Sequence, residues 1–380
     1  MIETTAKGFE VFGLDPAVAR AVKDAGYEEP TAVQTETIPR FRAGLDLMVQ
    51  AQTGTGKTAA FGIPIAEVID PSVPVIQALV LAPTRELTSQ ITAELKRLSK
   101  HRGIGVCAVY GGASMKAQID ALPHSQVVVG TPGRILDLMR RRHLMLNRVA
   151  ILVLDEADRM LDMGFLPDVE QIIRSTPRGR QTGLFSATIT TLVKRLAARY
   201  MRSPETVSIT PEERTVSTVR QVYYEVAQRD KTDALIEIIE REEPQSAIIF
   251  CHTQIAVDRV VRQMQRRGLP VRAIHGSLGQ GERERTLADF RASKIRYLVA
   301  TNLAARGLDI IHVSHVINYD VPEDAETYVH RIGRTARMGR EGTAITFISE
   351  WDSEAFEAVK KEAGESLTAE RLDLYSTARR

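Results

Sequence analysis

Cysteine is almost missing from this chain: two in 380 residues, Cys107 and Cys251, far apart and each inside an apolar run. That scarcity excludes a disulfide framework and a cysteine zinc site, and it predicts buried thiols in a reducing compartment. Long apolar stretches are missing too, and no uninterrupted run approaches the roughly 20 residues of a membrane-spanning helix. The opening "MIETTAKGFE" lacks the charged start and apolar core of a signal peptide, so a cytoplasmic location is expected. A dominant charge sign is also lacking, since 50 Lys and Arg face 48 Asp and Glu for a formal +2. Any polyanionic partner must therefore be held by local clusters and not by a global basic field. No low-complexity tract occurs, and no residue-level repeat is visible between the two halves.

What is present is ordinary globular material, 43% hydrophobic and 26% charged. The length suits two domains better than one core. Short β-branched apolar runs recur between helix-like stretches: "LDLMVQA", "QALVLAPT", "VCAVYGG", "QVVVGTP", "AILVLDE" and "TGLFSAT". This alternation predicts an α/β domain with a mostly parallel sheet covered by helices on both faces. The segment "RSPETVSITPEERTVSTVRQ" is rich in Pro, Ser, Thr and charge and is the best linker candidate. Alternation then resumes with "SAIIFCHT", "VRAIHGS", "RYLVATN", "HVINYDVP" and "GTAITFIS". The expected division is a first domain over 1–207, a linker over 208–218, a second domain over 219–365 and a polar tail over 366–380.

Two segments carry chemistry on their own. "AQTGTGKT", Ala51 to Thr58, follows a predicted strand and opens a predicted helix, the setting of a phosphate-binding loop. Gly54 and Gly56 let backbone N–H groups turn toward phosphate oxygens, Lys57 adds a cation, and Thr58 offers a hydroxyl to Mg²⁺. "AILVLDEADRM" ends an apolar run abruptly in Asp155, Glu156 and Asp158. Three carboxylates so close repel one another and are costly to bury unpaired, so a positive charge must meet them. Beside a phosphate loop, such an aspartate holds Mg²⁺ and the adjacent acid orients the attacking water.

With "DEAD" (Asp155 to Asp158) and "AQTGTGKT" stand "PTREL" (Pro83 to Leu87), Gly111 and Gly112, "TPGR" (Thr131 to Arg134) and "SAT" (Ser186 to Thr188). "QGER" (Gln280 to Arg283), "ATNLAARGLD" (Ala300 to Asp309) and "HRIGRTARMGR" (His330 to Arg340) follow in order. The chain resembles the DEAD-box RNA helicases from about Phe9 to the "GTAITFIS" run, with little or no C-terminal extension. The resemblance implies two tandem RecA-like domains. It implies ATP contacts at Phe9, Tyr27, Thr31, Gln34, Gln52, Thr53, Gly54, Thr55, Gly56, Lys57 and Thr58, with Asp309 at the ribose. Phe9 would stack on the base, and the Gln34 amide would pair with the N6/N7 edge of adenine. Lys57, Asp155, Glu156 and the arginine fingers Arg334 and Arg337 would be catalytic, with Mg²⁺ on Thr58 and Asp155 partly through water.

RNA contacts implied in the same way are Thr84, Arg85, Gly111, Gly112, Thr131 and Arg134 in the first domain, and Gln280, Arg283, Thr301, Arg306 and Gly307 in the second. Arginines, hydroxyls and glycine amides hold phosphate and sugar without reading bases, so sequence-independent binding is expected. Asp158, Ser186 and Thr188 would couple the ATP and RNA sites. Two positions depart from the family pattern: Asn302 stands where most members carry Asp, and Ala336 replaces a usual Gly. The expected protein is a monomeric, ATP-dependent RNA helicase that separates strands locally and touches no membrane. An ATP-gated RNA clamp and a DNA helicase of the same superfamily are the alternatives.

Overall fold

The computed structural model describes residues 8–52, 54–209, 219–302, 313–335 and 342–372. The chain divides into two compact units, Met1–Pro211 and Glu212–Arg380, with the boundary inside the expected linker.

The first unit contains β1 (Leu47–Gln50), β2 (Ala78–Leu81), β3 (Val106–Val109), β4 (Val127–Gly130), β5 (Ile151–Leu154), β6 (Gln181–Ser186) and β7 (Glu205–Ser208). Its helices are α1 (Pro16–Asp24), α2 (Ala32–Arg42), α3 (Lys57–Val68), α4 (Arg85–Leu98), α5 (Met115–Ala121), α6 (Pro132–Arg140), α7 (Ala157–Asp162), α8 (Leu166–Arg174) and α9 (Thr191–Tyr200). The sheet is wholly parallel in the order β3-β4-β2-β5-β6-β1-β7. Successive strand residues alternate between two cores: Leu152 and Leu154 pack with α6, α7, α8 and α9, while Ile151 and Val153 pack with α3 and α4. Burial on both faces is why these strands read as unbroken apolar runs.

The second unit contains β8 (Val219–Glu225), β9 (Ala247–Cys251), β10 (Val271–Ile274), β11 (Tyr297–Thr301), β12 (His315–Asn318), β13 (Gly342–Ile348) and β14 (Leu367–Glu370). Its helices are α10 (Lys231–Glu242), α11 (Gln254–Arg266), α12 (Gln280–Arg291), α13 (Ala325–Ile332) and α14 (Ser353–Ala363). Again all strands are parallel, in the order β10-β11-β9-β12-β13-β8-β14. Adding seven to each strand of the first sheet reproduces the second. The halves therefore repeat one another in topology, although the sequence shows no repeat.

Three strands correct the sequence reading. β7 and the start of β8 lie in the Pro- and Ser-rich segment, where no strand was read, although only Ser208 falls within the expected linker and β8 starts at the expected second domain; β14 lies in the expected polar tail. β7 and β14 are four-residue edge strands with mostly exposed or half-buried side chains, and they carry too little apolar signal to stand out. Cys107 and Cys251 are free and buried, as expected. Burial raises both thiol pKa values and keeps these thiols protonated and inert.

Candidate functional site

In the first unit the functional residues gather at the carboxyl ends of the strands, where an open parallel sheet presents its loops. The loop after β1 is tied down by Ala51 N–H donating to Ser186 O at 2.9 Å. Gly54 and Gly56 both adopt positive φ, 85° and 94°. A Cβ on Gly56 would also lie 2.4 Å from Gln34 Nε2, so glycine is required there by conformation and by space. Thr55 Oγ1 donates to Gln52 O (2.8 Å), and Lys57 Nζ donates to Ala51 O (2.7 Å). Lys57 and Thr58 open α3, which adds the positive end of a 12-residue helix. Thr53 lies outside the described residues.

The Gln34 side chain is 1% exposed and sits against this loop. Its Oε1 accepts from Thr31 N–H (2.9 Å), and its Nε2 donates to Gly56 O (3.2 Å). Thr31 Oγ1 donates to Thr55 O (2.7 Å). A primary amide carries two N–H groups and two lone pairs, so one of each remains for an adenine edge. Phe9 is packed by its own unit. Its ring is buried in a cluster with Val18, Val22, Ile38 and Ile63, edge-on to Phe12 at 5.7 Å and tilted against Tyr27 at 5.7 Å. As placed it is a core aromatic and not an open stacking platform. The Tyr27 hydroxyl donates to Glu94 Oε1 (2.8 Å).

After β5 the three carboxylates are buried, and each is handled differently. Burial pushes the Asp155 carboxyl up to about 6; Lys57 pulls it down, and Glu156 and Asp158 push it further up. Glu156 takes a left-handed backbone, φ 49° and ψ 51°, an unusual state for a non-glycine residue at a site of function. Its Oε2 accepts from Arg159 Nη1 at 2.5 Å in a buried ion pair. Sequence reasoning missed Arg159, although the i,i+3 spacing could have revealed it. Asp158 is opposed by burial but held below the usual carboxylate range by its hydrogen bonds. Its Oδ2 accepts from Thr188 N–H and Oγ1, both at 2.9 Å, while its own N–H donates to Ser186 Oγ (3.2 Å). The three expected coupling residues thus form one bonded unit between the ends of β5 and β6.

The expected RNA residues of this unit collect on the other half of the sheet edge. Thr84 caps α4 after β2, accepting from Leu87 N–H (3.3 Å). The Arg85 guanidinium lies over Gly111 and Gly112 after β3, so close that a Cβ on Gly112 would meet Arg85 Nη1 at 2.1 Å. Thr131 opens α6 after β4, and Arg134 Nη1 reaches Gln118 Oε1 (3.1 Å). Gln118, in turn, brackets the Tyr110 backbone at 3.2 and 3.0 Å. Gln118 is a second residue that the sequence did not single out. β3, β4 and β2 are neighbours, so three segments distant in sequence share one edge.

In the second unit Thr301 ends β11 and Arg283 stands on α12, which Gln280 opens. Arg306, Gly307, Asp309, Ala336, Arg337 and the Gln280 side chain lie outside the described residues. Arg334 is buried, and its carbonyl accepts from Val313 N–H (3.2 Å). Asn302 holds Arg331, a third residue the sequence reading passed over. Arg331 is 2% exposed; its Nε donates to Asn302 Oδ1 (2.8 Å) and its Nη1 to Asn318 Oδ1 (2.8 Å) and Asp320 O (2.9 Å). Its guanidinium also lies 4.9 Å from the Phe250 ring centroid. Where the family pattern has a carboxylate, a neutral amide thus ties the end of β11 to the helix leading into Arg334.

A doubly wound pair of sheets with a glycine phosphate loop, a carboxylate strand end and a bonded link between them defines a RecA-like nucleotide-driven enzyme. The family profile described as DEAD/DEAH box helicase matches residues 31–196, and that described as helicase conserved C-terminal domain matches residues 230–339. The ATP-dependent RNA helicase CshA of Listeria monocytogenes is 49% identical over 90% of this chain and 66% of its own length. The DEAD-box ATP-dependent RNA helicase CshA of Bacillus subtilis is 46% identical over 93% of this chain and 72% of its own. Among solved structures, S. cerevisiae Dbp5 bound to RNA and ADP BeF3 superposes with a TM-score of 0.87 at 34% identity, covering 96% of each chain. The chain belongs to the DEAD-box family. It is an ATP-dependent RNA helicase core, an enzyme that hydrolyses ATP and takes RNA as its partner.

Proposed function

We propose that this core performs local, sequence-independent RNA strand separation or RNA–protein remodelling in the cytoplasm, with ATP and Mg²⁺ at the first unit's phosphate loop. The observation that carries this reading is the division of one sheet edge. The ends of β1, β5 and β6 hold nucleotide chemistry, the ends of β3, β4 and β2 hold backbone-gripping groups, and Asp158, Ser186 and Thr188 bridge them. Gln34 would read adenine, and Lys57 and the amides of the glycine loop would hold the phosphates.

The donor set suits Mg²⁺. Burial raises the Asp155 carboxyl although Lys57 pulls it down, so a bound cation would relieve it, while Glu156 is paired with Arg159 and Asp158 is taken by Thr188. Thr58 and Asp155 would hold the ion, partly through water, and when bound it would neutralise phosphate charge. Glu156, positioned by Arg159, would orient and accept a proton from the attacking water. Arg334 and Arg337 would complete the site from the second unit when ATP and RNA together favour closure. Each ligand shifts that equilibrium only by its differential affinity for the closed form. Arg85 with Gly111 and Gly112, Thr84, Thr131, Arg134, Gln280, Arg283, Thr301, Arg306 and Gly307 would grip the RNA backbone, and Asp309 the ribose.

The test is ATP hydrolysis with RNA or single-stranded DNA of equal length, alongside strand separation of a short RNA duplex. RNA should stimulate and DNA should fail, because recognition of the 2′-hydroxyl separates the two polymers. Equal stimulation by DNA would overturn the RNA assignment of the gripping residues.

A further inference from the structure

The repeated topology makes α10 and α11 of the second unit the counterparts of α3 and α4 in the first. In the first unit the groove over α3 and α4 is apolar and filled by the chain itself: Val18 and Val22 of α1 sit on Ile63, Ala66 and Leu98. The basic stretch after α4 is engaged there as well, His101 with Asp24 at 2.7 Å and Arg102 with Asp15 at 3.4 Å. In the second unit the same groove is a cavity of about 300 Å³ with a polar floor. That floor is the buried Thr232 Oγ1–Tyr319 hydroxyl pair, 2.8 Å apart, with Gln228 and Gln263 beside it.

Arg259, Arg266 and Arg267 of α11 and its C-cap converge on this cavity with Arg229. Arg259 and Arg266 lie seven residues apart, two turns along one helix face. Other arginines of the unit are engaged: Arg220 with Glu242 and Glu370, Arg296 with the Glu243 and Pro244 carbonyls. Arg259, Arg266 and Arg267 have no ion-pair partner among the described residues, Arg229 meets Asp230 at 3.6 Å, and Asp233 is the one carboxylate lining the space. Four guanidinium groups on one cavity with so few carboxylates repel one another, and their planar forks match phosphate oxygens. The first turn of α10 adds the positive end of a 12-residue helix. With so little apolar wall, a covering helix like α1 finds nothing to bury against.

We propose that this groove is a second anion site that binds phosphate groups, outside the ATP and RNA motifs. It lies over α10 and α11, whereas α12, which bears Gln280 and Arg283, packs on the opposite face of the sheet. The phosphates come either from a soluble, multiply phosphorylated molecule or from RNA backbone beyond the length the motifs hold. Only the RNA source rests on the helicase reading.

The test uses the full chain saturated with ADP, so that the nucleotide site is closed to the probe. Inorganic tripolyphosphate is titrated by calorimetry, and ten- and thirty-nucleotide single-stranded RNAs by anisotropy, against wild type and an R259Q/R266Q/R267Q variant. The variant should lose about tenfold or more in affinity for the phosphate it normally binds. Loss of tripolyphosphate binding with RNA affinity unchanged assigns a soluble ligand; loss confined to the longer RNA, with a shallower salt dependence, assigns RNA backbone. Asp233→Asn, which leaves all four arginines in place, should tighten the same interaction about twofold. Wild-type affinity for both probes in the triple variant, with no gain in Asp233→Asn, overturns the site.

Discussion

The two units share a strand order yet differ in what they place at the first turn. After β1 the chain runs from Ala51 to Lys57 and Thr58 at the start of α3; after β8 it runs from Val226 to Lys231 and Thr232 at the start of α10. Ala51 N–H bonds Ser186 O, and Val226 N–H bonds Ile348 O at 2.8 Å, so the loops leave matching positions. Likewise Asp155 N–H bonds Leu81 O, and Asp320 N–H bonds Phe250 O. The first loop has two glycines at positive φ and a lysine bonded to a carbonyl of its own loop. The second has Arg229 and Asp230 where those glycines would stand, and its lysine is 1% exposed, held by Asp352 at 3.1 Å and Asp320 at 3.7 Å. One fold thus supplies the position twice, and the two copies differ in their glycines and in whether the lysine is held by carboxylates of its own unit.

Breaking that comparison should give its largest effect at the carboxylates. Glu156→Gln keeps the shape but cannot accept a proton, so RNA-stimulated turnover should fall about 10²- to 10⁴-fold, while ATP and RNA still bind. A change at the acid of the second unit's strand end, Asp320→Asn, should leave turnover of the folded protein within a few-fold. Steady-state hydrolysis of both variants decides it, and a collapse in Asp320→Asn would mean that the second strand end takes part in chemistry.

The two lysines should separate catalysis from stability. Lys57→Ala should abolish hydrolysis with little change in urea midpoint. Lys231→Ala leaves buried Asp320 and half-buried Asp352 without their cation and should cost about 3–5 kcal/mol. Hydrogen exchange resolved by segment should locate that loss in β8, β12 and α10. Next in size, Gly56→Ala forces a Cβ against the Gln34 amide and a side chain into positive φ. It should weaken ATP binding about tenfold and cost about 1–2 kcal/mol.

How much of this was legible follows from where each signal resides. Central strands buried on both faces declare themselves as apolar runs, and the phosphate loop and "DEAD" are contiguous, so the fold class and these two segments could be read directly. β7 and β14 could not, because an exposed four-residue edge strand looks like a polar loop. Arg85 over Gly112 and Asp158 on Thr188 join residues 27 and 30 apart, so the pairing is visible only once the strands are ordered. The packing of Phe9 was not legible, because an aromatic in a core and one on a base look the same in sequence. The repeat escaped notice because the matching loops share little beyond Lys-Thr and one loop is a residue shorter.

The smallest expected effect sharpens the comparison through acid. In the first unit burial has raised Asp155 to about 6, so its charged form opposes folding at neutral pH. As pH falls through about 6 toward the unfolded value near 4, the folded state takes up the proton first and this part of the unit gains stability. In the second unit Glu242 is lowered to about 2, chiefly by the hydrogen bond with His315 at 3.2 Å, with Arg241 and Arg220 assisting and burial opposing. A depressed carboxyl contributes stability above its unfolded pKa, so this contribution disappears as pH falls from about 4.5 to 2. Its arginine partners are partly exposed, which holds the contribution to about 1 kcal/mol or less. Glu242→Gln should therefore flatten the second unit's loss of protection below pH 4.5 while slightly lowering it at pH 7. Asp155→Asn should protect the first unit at pH 7 and change nothing at pH 4. Exchange protection measured across pH 3.5–7 on both variants would show opposite slopes, and parallel slopes in the two units would break the comparison at its acidic ends.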